Sequence, residues 1–104
     1  MIIYNVTITL DLEIAEEWVE WMVNTHIPDV MRTGMFISYR MGRLLNHEHK
    51  DSEIFTIQYV VESMERLYEY IDDYSESLQG VHSKRYHGRY AIFRTVMDLT
   101  AQGE

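Results

Sequence analysis

The feature that most constrains this chain is a hydrophobic period that switches from two to about 3.6 and back, twice. Residues 2–10 alternate, with Tyr4, Val6, Ile8 and Leu10 on one side and Ile3, Asn5, Thr7 and Thr9 on the other. That is a strand with one apolar face. At Asp11, a residue suited to capping a helix, the period lengthens, and Glu13, Glu16 and Glu17 follow where acids favour a helix start. Ala15, Trp18, Val19, Met22, His26 and Val30 then share one helical stripe. Pro28 is expected to end or kink this helix, because it lacks a backbone donor and disfavours helical geometry at Ile27. A short further turn would run to a stop at Gly34.

Period two returns in residues 35–45 and 53–61, joined by the polar stretch 46–52. In the first run Met35, Ile37, Tyr39 and Met41 alternate with Phe36, Ser38, Arg40 and Gly42. Ser63 is placed to cap a second helix with the stripe Met64, Leu67, Tyr68, Ile71, Tyr74 and Leu78. Gly80 is expected to break it, with residues 81–87 continuing as a second piece. A last strand spans 89–99, and 100–104 reads as a frayed tail. The order β-α-β-β-α-β predicts one ferredoxin-like α+β domain over 1–104. Four antiparallel strands would carry both helices on one face, with right-handed crossovers.

Composition narrows the chemistry. One domain of 104 residues buries about two-thirds of its unfolded surface, enough for a core without staples. The absence of cysteine excludes a disulfide framework, a thiol nucleophile and Cys-ligated metals. Nine Lys and Arg against seventeen Asp and Glu give −8, a charge that repels phosphate backbones, so no nucleic-acid partner is expected. No run reaches the roughly 18 apolar residues of a membrane span, and the start lacks the basic region of a signal peptide. No membrane partner and a cytoplasmic location are the expectations.

The sheet face away from the helices should carry Ile3, Asn5, Thr7, Thr9, Ile54, Thr56, Gln58 and Val60. It is uncharged and partly apolar, which suggests a cover. The simplest cover is a second copy across a two-fold axis, through Asn5, Thr7, Thr56 and Gln58. Trp21, beside the first helical stripe, adds to this as an interface type of residue.

Three segments carry a resemblance. They are Met1-Ile2-Ile3-Tyr4-Asn5-Val6-Thr7, the stretch Glu17-Trp18-Val19-Glu20-Trp21-Met22 leading to His26-Ile27-Pro28-Asp29-Val30, and Tyr90-Ala91-Ile92-Phe93-Arg94-Thr95. Together they resemble the bacterial family called domain of unknown function 4286, essentially over the whole chain. That membership implies a fold and recurring residues, not an activity. At fold level the pattern is similar to the dimeric α/β-barrel superfamily, in which two ferredoxin-like subunits pack sheet to sheet. Its members include cofactor-independent monooxygenases, muconolactone-isomerase-like enzymes, haem-handling proteins and stress proteins. Several have a His-x-Pro near the end of the first helix, as His26-Ile27-Pro28 does. This resemblance implies a ligand in the cleft between helices and sheet.

His26 should face that cleft, where imidazole could act as a base, a proton shuttle or a ligand to haem or metal. The plainer alternative is a core histidine held by one backbone or hydroxyl partner and bracing the turn at Pro28; it is favoured because most half-buried polar groups are simply satisfied. Arg94, set among Tyr90, Ile92, Phe93 and Val96, needs an acceptor. That acceptor is either a carboxylate ligand or an internal acid such as Asp29, and the internal pair is favoured. Arg40 is expected on the interface face. His82, Tyr86 and His87, with Lys84, Arg85 and Arg89, form a basic cluster that either binds an anion or complements a helix C-terminus, the second being favoured. His47-Glu48-His49 has metal-ligand spacing but sits in a polar loop, so no metal site is expected. Tyr4, Tyr39, Tyr59, Tyr68, Tyr74 and Tyr90 either line a cavity or fill core and interface. Phosphate-loop, nucleophile-elbow and zinc-helix motifs are absent.

The sequence thus leads to a homodimer that binds a small, partly apolar molecule, with His26, Tyr39, Tyr59, Tyr68, His82 and Arg94 as candidate ligand-binding residues and no cofactor required. The alternatives are a cofactor-independent monooxygenase- or isomerase-like enzyme, with His26 as base and Arg94 as oxyanion holder, and a purely structural or protein-interaction dimer in which both are braces.

Overall fold

A computed structural model describes residues 1–104. Strand β1 (Ile2–Asp11) leads through a single 3-10 turn, Leu12–Ile14, into α1 (Ala15–Trp21). A π turn, Met22–His26, joins α1 to α2 (Ile27–Met31). The hairpin β2 (Phe36–Arg43) and β3 (Ser52–Val61) follows. The second helical stretch repeats the device: α3 (Met64–Tyr70), a π turn Ile71–Ser75, and α4 (Glu76–Tyr86). Strand β4 (Tyr90–Asp98) closes the chain. The sheet is antiparallel throughout, in the order β2-β3-β1-β4. This is the ferredoxin-like α+β arrangement. Residues 100–104 form neither helix nor strand, and no helix is long and apolar enough to cross a membrane.

The alternation in β1 sets the core. Tyr4, Val6, Ile8 and Leu10 are buried and pack with Ile57, Tyr59 and Val61 of β3 against Trp18, Met22, Ile27, Leu67 and Tyr70 from the helical layer. Ser63 caps α3 by accepting the Arg66 backbone N–H at 3.2 Å, satisfying one of the donors left free at a helix start. Gly34 and Gly88 take positive φ of 76°, the left-handed conformation that lets each helical stretch turn into the next strand.

Several expectations are corrected. Pro28 does not end its helix; it lies in the first turn of α2, where a missing N–H costs least, and the preceding wide turn absorbs the irregularity. Gly80 lies inside α4 rather than breaking it. Asp11 makes no side-chain cap; its carboxylate instead accepts from Arg89 at 2.6 Å. In β2 the register breaks between Phe36 and Ser38, so Phe36 turns into the core while Ile37 is exposed. A bulge of one residue re-aims the side chains beyond it. The second helical stripe also differs. The buried positions are Leu67, Tyr70, Ser75, His82 and Tyr86, while Tyr68, Ile71 and Tyr74 are exposed. The π turn holds one residue more than an α turn, so the inward face steps from Tyr70 to Ser75.

On the open sheet face, Asn5 lies between Gln58 and Thr95 in register, and Thr7 between Thr56 and Phe93. Arg40 lies here too and donates to Gln58 at 2.7 Å. Phe93 and Met97 are exposed, and the Asn5 side-chain oxygen is sealed without a partner. Trp21 belongs to the other layer. It stacks on His26 with ring centroids 5.0 Å apart and carries Arg85 over its ring at 5.2 Å. It therefore gives no argument for contact through the sheet.

Candidate functional site

A cavity of about 290 Å³ opens between the helical layer and the sheet. β1 supplies Tyr4, Val6 and Ile8, β3 supplies Ile57 and Tyr59, and β4 supplies Tyr90, Ile92 and Arg94. The register pairs Val6 with Arg94, which puts Arg94 on the helix side of the sheet. The helical layer contributes Met22, His26 and Val30 from the first stretch and Tyr70, Leu78 and His82 from the second.

His82 is tethered. Its Nε2 accepts the indole N–H of Trp18 at 2.9 Å, in the core. Indole nitrogen only donates, so the neutral ring carries its proton on Nδ1. The ring also packs edge-on against Tyr90 at 4.7 Å. Burial, helped by His26 and then Arg94, lowers its pKa to about 4. A charged imidazole would lose the Trp18 bond and sit desolvated beside a guanidinium.

His26 lies 5.8 Å from His82 between ring centroids and is free. Neither of its ring nitrogens has a protein hydrogen-bond partner, yet neither is sealed in the core, since Asn5 Oδ1 is the one sealed side-chain polar atom without a partner. Burial pushes its pKa down, and the charge of Asp29 opposes this in part. Its imidazole is accordingly a neutral acceptor at neutral pH, and the partner that a structural brace requires is missing.

Arg94 lies close enough to Tyr4 that its charge partly offsets the upward shift that burial gives that hydroxyl. It forms no ion pair. The expected partner, Asp29, is bound instead by Arg32 three residues along, and this local pair corrects the Arg94–Asp29 expectation. Burial holds the Tyr59 and Tyr70 hydroxyls protonated, well above the usual phenol range.

Of the residues picked from sequence, His26, Tyr59, His82 and Arg94 line this cavity, and Tyr39 and Tyr68 do not. Tyr39 is 42% exposed on edge strand β2, and Tyr68 is 57% exposed on the outer side of α3. Tyr70, Gln79 and Ser83 line the cavity and were not among the candidates. The basic cluster divides. His82 faces inward, whereas Arg85 donates to Glu17 at 2.5 Å, Tyr86 to Glu17 at 2.9 Å and Arg89 to Asp11, tying the end of α4 to the start of the first helical stretch. The loop histidines His47 and His49 lie 5.8 Å apart, and no three His, Cys, Asp or Glu gather as a metal set.

This fold recurs in solved structures. HapK from Hahella chejuensis superposes with a TM-score of 0.70 at 9% identity, covering 100% of this chain and 97% of that one. A dimeric ferredoxin-like protein from an uncultured marine organism gives 0.71 at 9%, covering 100% and 99%. A proposed antibiotic biosynthesis monooxygenase from Deinococcus radiodurans gives 0.71 at 14%, covering 100% and 97%. At such identities the likeness concerns the fold alone. No protein of curated function matches the chain in sequence. The sequence pattern described as "Domain of unknown function (DUF4286)" matches residues 1–100, and the chain belongs to that family.

Proposed function

We propose that the chain is a homodimeric, cytoplasmic protein that binds a small, partly apolar molecule between its helices and its sheet. The observation that carries this is the cavity itself, which leaves His26 without a partner while Trp18 satisfies His82 beside it. A cavity near the lower end of the usual 300–1,000 Å³ range, apolar with a few convergent polar groups, suits a compact ligand. The ligand would meet His26, Tyr59, His82 and Arg94, with Tyr4 and Tyr70. A second copy would cover the open face through Asn5, Thr7, Thr56 and Gln58. The uncharged face, its exposed Phe93 and Met97 and the dimeric neighbour of the same fold support this.

Native mass spectrometry of the protein as purified from cells tests both parts. The expected result is a dimer carrying a stoichiometric small-molecule adduct. A clean monomer would end the sheet-to-sheet reading, and a dimer that never retains or accepts any small molecule would end the binding one.

A second reading has one observation in its favour. His26 is buried, neutral and unpartnered in the cavity, the state a general base needs. In a cofactor-independent monooxygenase- or isomerase-like reaction it would take a proton from the ligand, and Arg94 would hold the oxyanion. Turnover abolished by His26→Phe, with ligand binding retained, would distinguish this reading from binding alone.

A further inference from the structure

Arg94 differs from every other arginine of the chain in having neither an acid nor an amide against it. Arg32 pairs with Asp29, Arg43 with Glu53, Arg66 with Glu69, Arg85 with Glu17 and Arg89 with Asp11. Arg40 donates to Gln58. Acids outnumber bases seventeen to nine, so an acidic partner would have been easy to supply. The cavity around Arg94 instead holds hydroxyls and rings. Neither imidazole there adds a charge at neutral pH, because burial keeps both neutral. Arg94 is itself exposed to solvent, but it lines a cavity with a ring-bearing wall on one side, and a cation against such a low-dielectric wall draws anions more strongly than one surrounded by water.

The chemistry narrows the anion. A single guanidinium presents one planar fork, which matches one carboxylate through two parallel N–H···O bonds. A phosphate dianion would meet one positive charge in a chain of net charge −8. No second cationic side chain lines the cavity, since no Lys or other Arg does and both histidines there are neutral. Tyr4, Tyr59 and Tyr70 offer ring faces and edges, and about 290 Å³ suits a ligand of about one ring. We propose that the cavity takes a small aromatic monocarboxylic acid, its carboxylate on Arg94 beside the Tyr4 hydroxyl and its ring among Ile57, Tyr59 and Tyr70. The assignment rests on the ligand-binding reading above.

Isothermal titration of the full chain at neutral pH with benzoate, benzamide and inorganic phosphate tests it. Benzoate and benzamide share a shape and differ in charge. Benzoate is expected to bind at least about tenfold more tightly than benzamide, the gap a charge-assisted contact gives, and phosphate not to bind at this site. Arg94→Gln should reduce benzoate to the level of benzamide and leave benzamide unchanged. Arg94→Lys, which keeps the charge and loses the fork, should recover part of the difference. Equal binding of benzoate and benzamide, tighter binding of phosphate, or an undiminished benzoate preference in Arg94→Gln would overturn the carboxylate assignment and leave the cavity reading standing. No binding of either ring compound at millimolar concentration would overturn the aromatic-acid assignment, while the cavity reading itself falls only if native mass spectrometry also finds no small molecule retained or accepted. The wild-type comparison requires no variant to fold.

Discussion

Two histidines face one cavity, and their surroundings could hardly differ more. His82 is held by Trp18, packed against Tyr90 and kept neutral by burial and a neighbouring guanidinium. His26, also buried, stacks on Trp21, but its ring makes no hydrogen bond within the protein. Stability explains the first: a buried acceptor without a donor is costly, and the indole N–H removes that cost. It does not explain the second. The contrast separates a side chain fixed by the needs of the core from one whose polar atoms the core leaves unpaired, and Arg94, which forms no ion pair, belongs with the second.

The largest effect expected of this contrast is in the pH dependence of stability. The folded pKa of His82 lies near 4, against 6.5 for the free side chain. The unfolded chain therefore binds the proton more readily, so stability rises with pH across this interval. The contribution is fully present above about pH 6.5 and is lost as pH falls toward about 4, on the order of 3 kcal/mol in all. His26 acts in the same direction. Carboxylates titrate in part of this range as well, so the informative quantity is a difference between proteins. His82→Gln keeps an acceptor for Trp18 but has no proton to gain. In urea denaturation at stepped pH, wild type should lose more stability than the variant between pH 6.5 and 4. Parallel losses would show that His82 is not a buried neutral group.

A smaller effect sharpens the same contrast at fixed pH. Trp18→Phe removes the only donor to His82 Nε2 and shrinks a fully buried ring, which should cost about 2 kcal/mol. His26→Phe keeps a ring against Trp21 and removes nitrogens that bond to nothing in the protein, so it should cost less than about 1 kcal/mol. Urea midpoints compare the two directly. A His26→Phe loss as large as that of Trp18→Phe would mean that His26 is a brace after all, and the distinction between the two side chains would fall.

The two residues also mark how far the sequence reaches. The wall built on β1 is legible, because Tyr4, Val6, Ile8 and Leu10 each obey one period over an uninterrupted strand. His26 is legible for the same reason, on a stripe of Ala15, Trp18 and Met22. Tyr39 fails because a register break at Ile37 and an edge position, neither signalled by a Gly or Pro there, leave its side chain 42% exposed. The acceptor for Arg94 fails because pairing depends on distance in space, and Arg32 reaches Asp29 first. Tyr70 fails because a regular helical period carried through 71–75 selects Tyr68, Ile71 and Tyr74.

That last failure supplies the smallest expected effect. The inward residues of the second helical stretch are Leu67, Tyr70, Ser75, His82 and Tyr86, with Leu78 partly buried. Their spacing fits about 100° per residue if one residue of the π turn Ile71–Ser75 is left out of the count. The turn then acts as an insertion that the helix accommodates, and Asp73, exposed within it, is the residue to remove. Deleting Asp73 should let Ile71–Ser75 close as an ordinary α turn while Tyr70 and His82 keep their common face. The expected outcome is a cooperative melt within a few degrees of wild type and an unchanged response to the Trp18→Phe substitution. A noncooperative melt would show that the wide turn sets the geometry of the His82 wall itself, because nothing else on the inward face changes its spacing when that residue is lost.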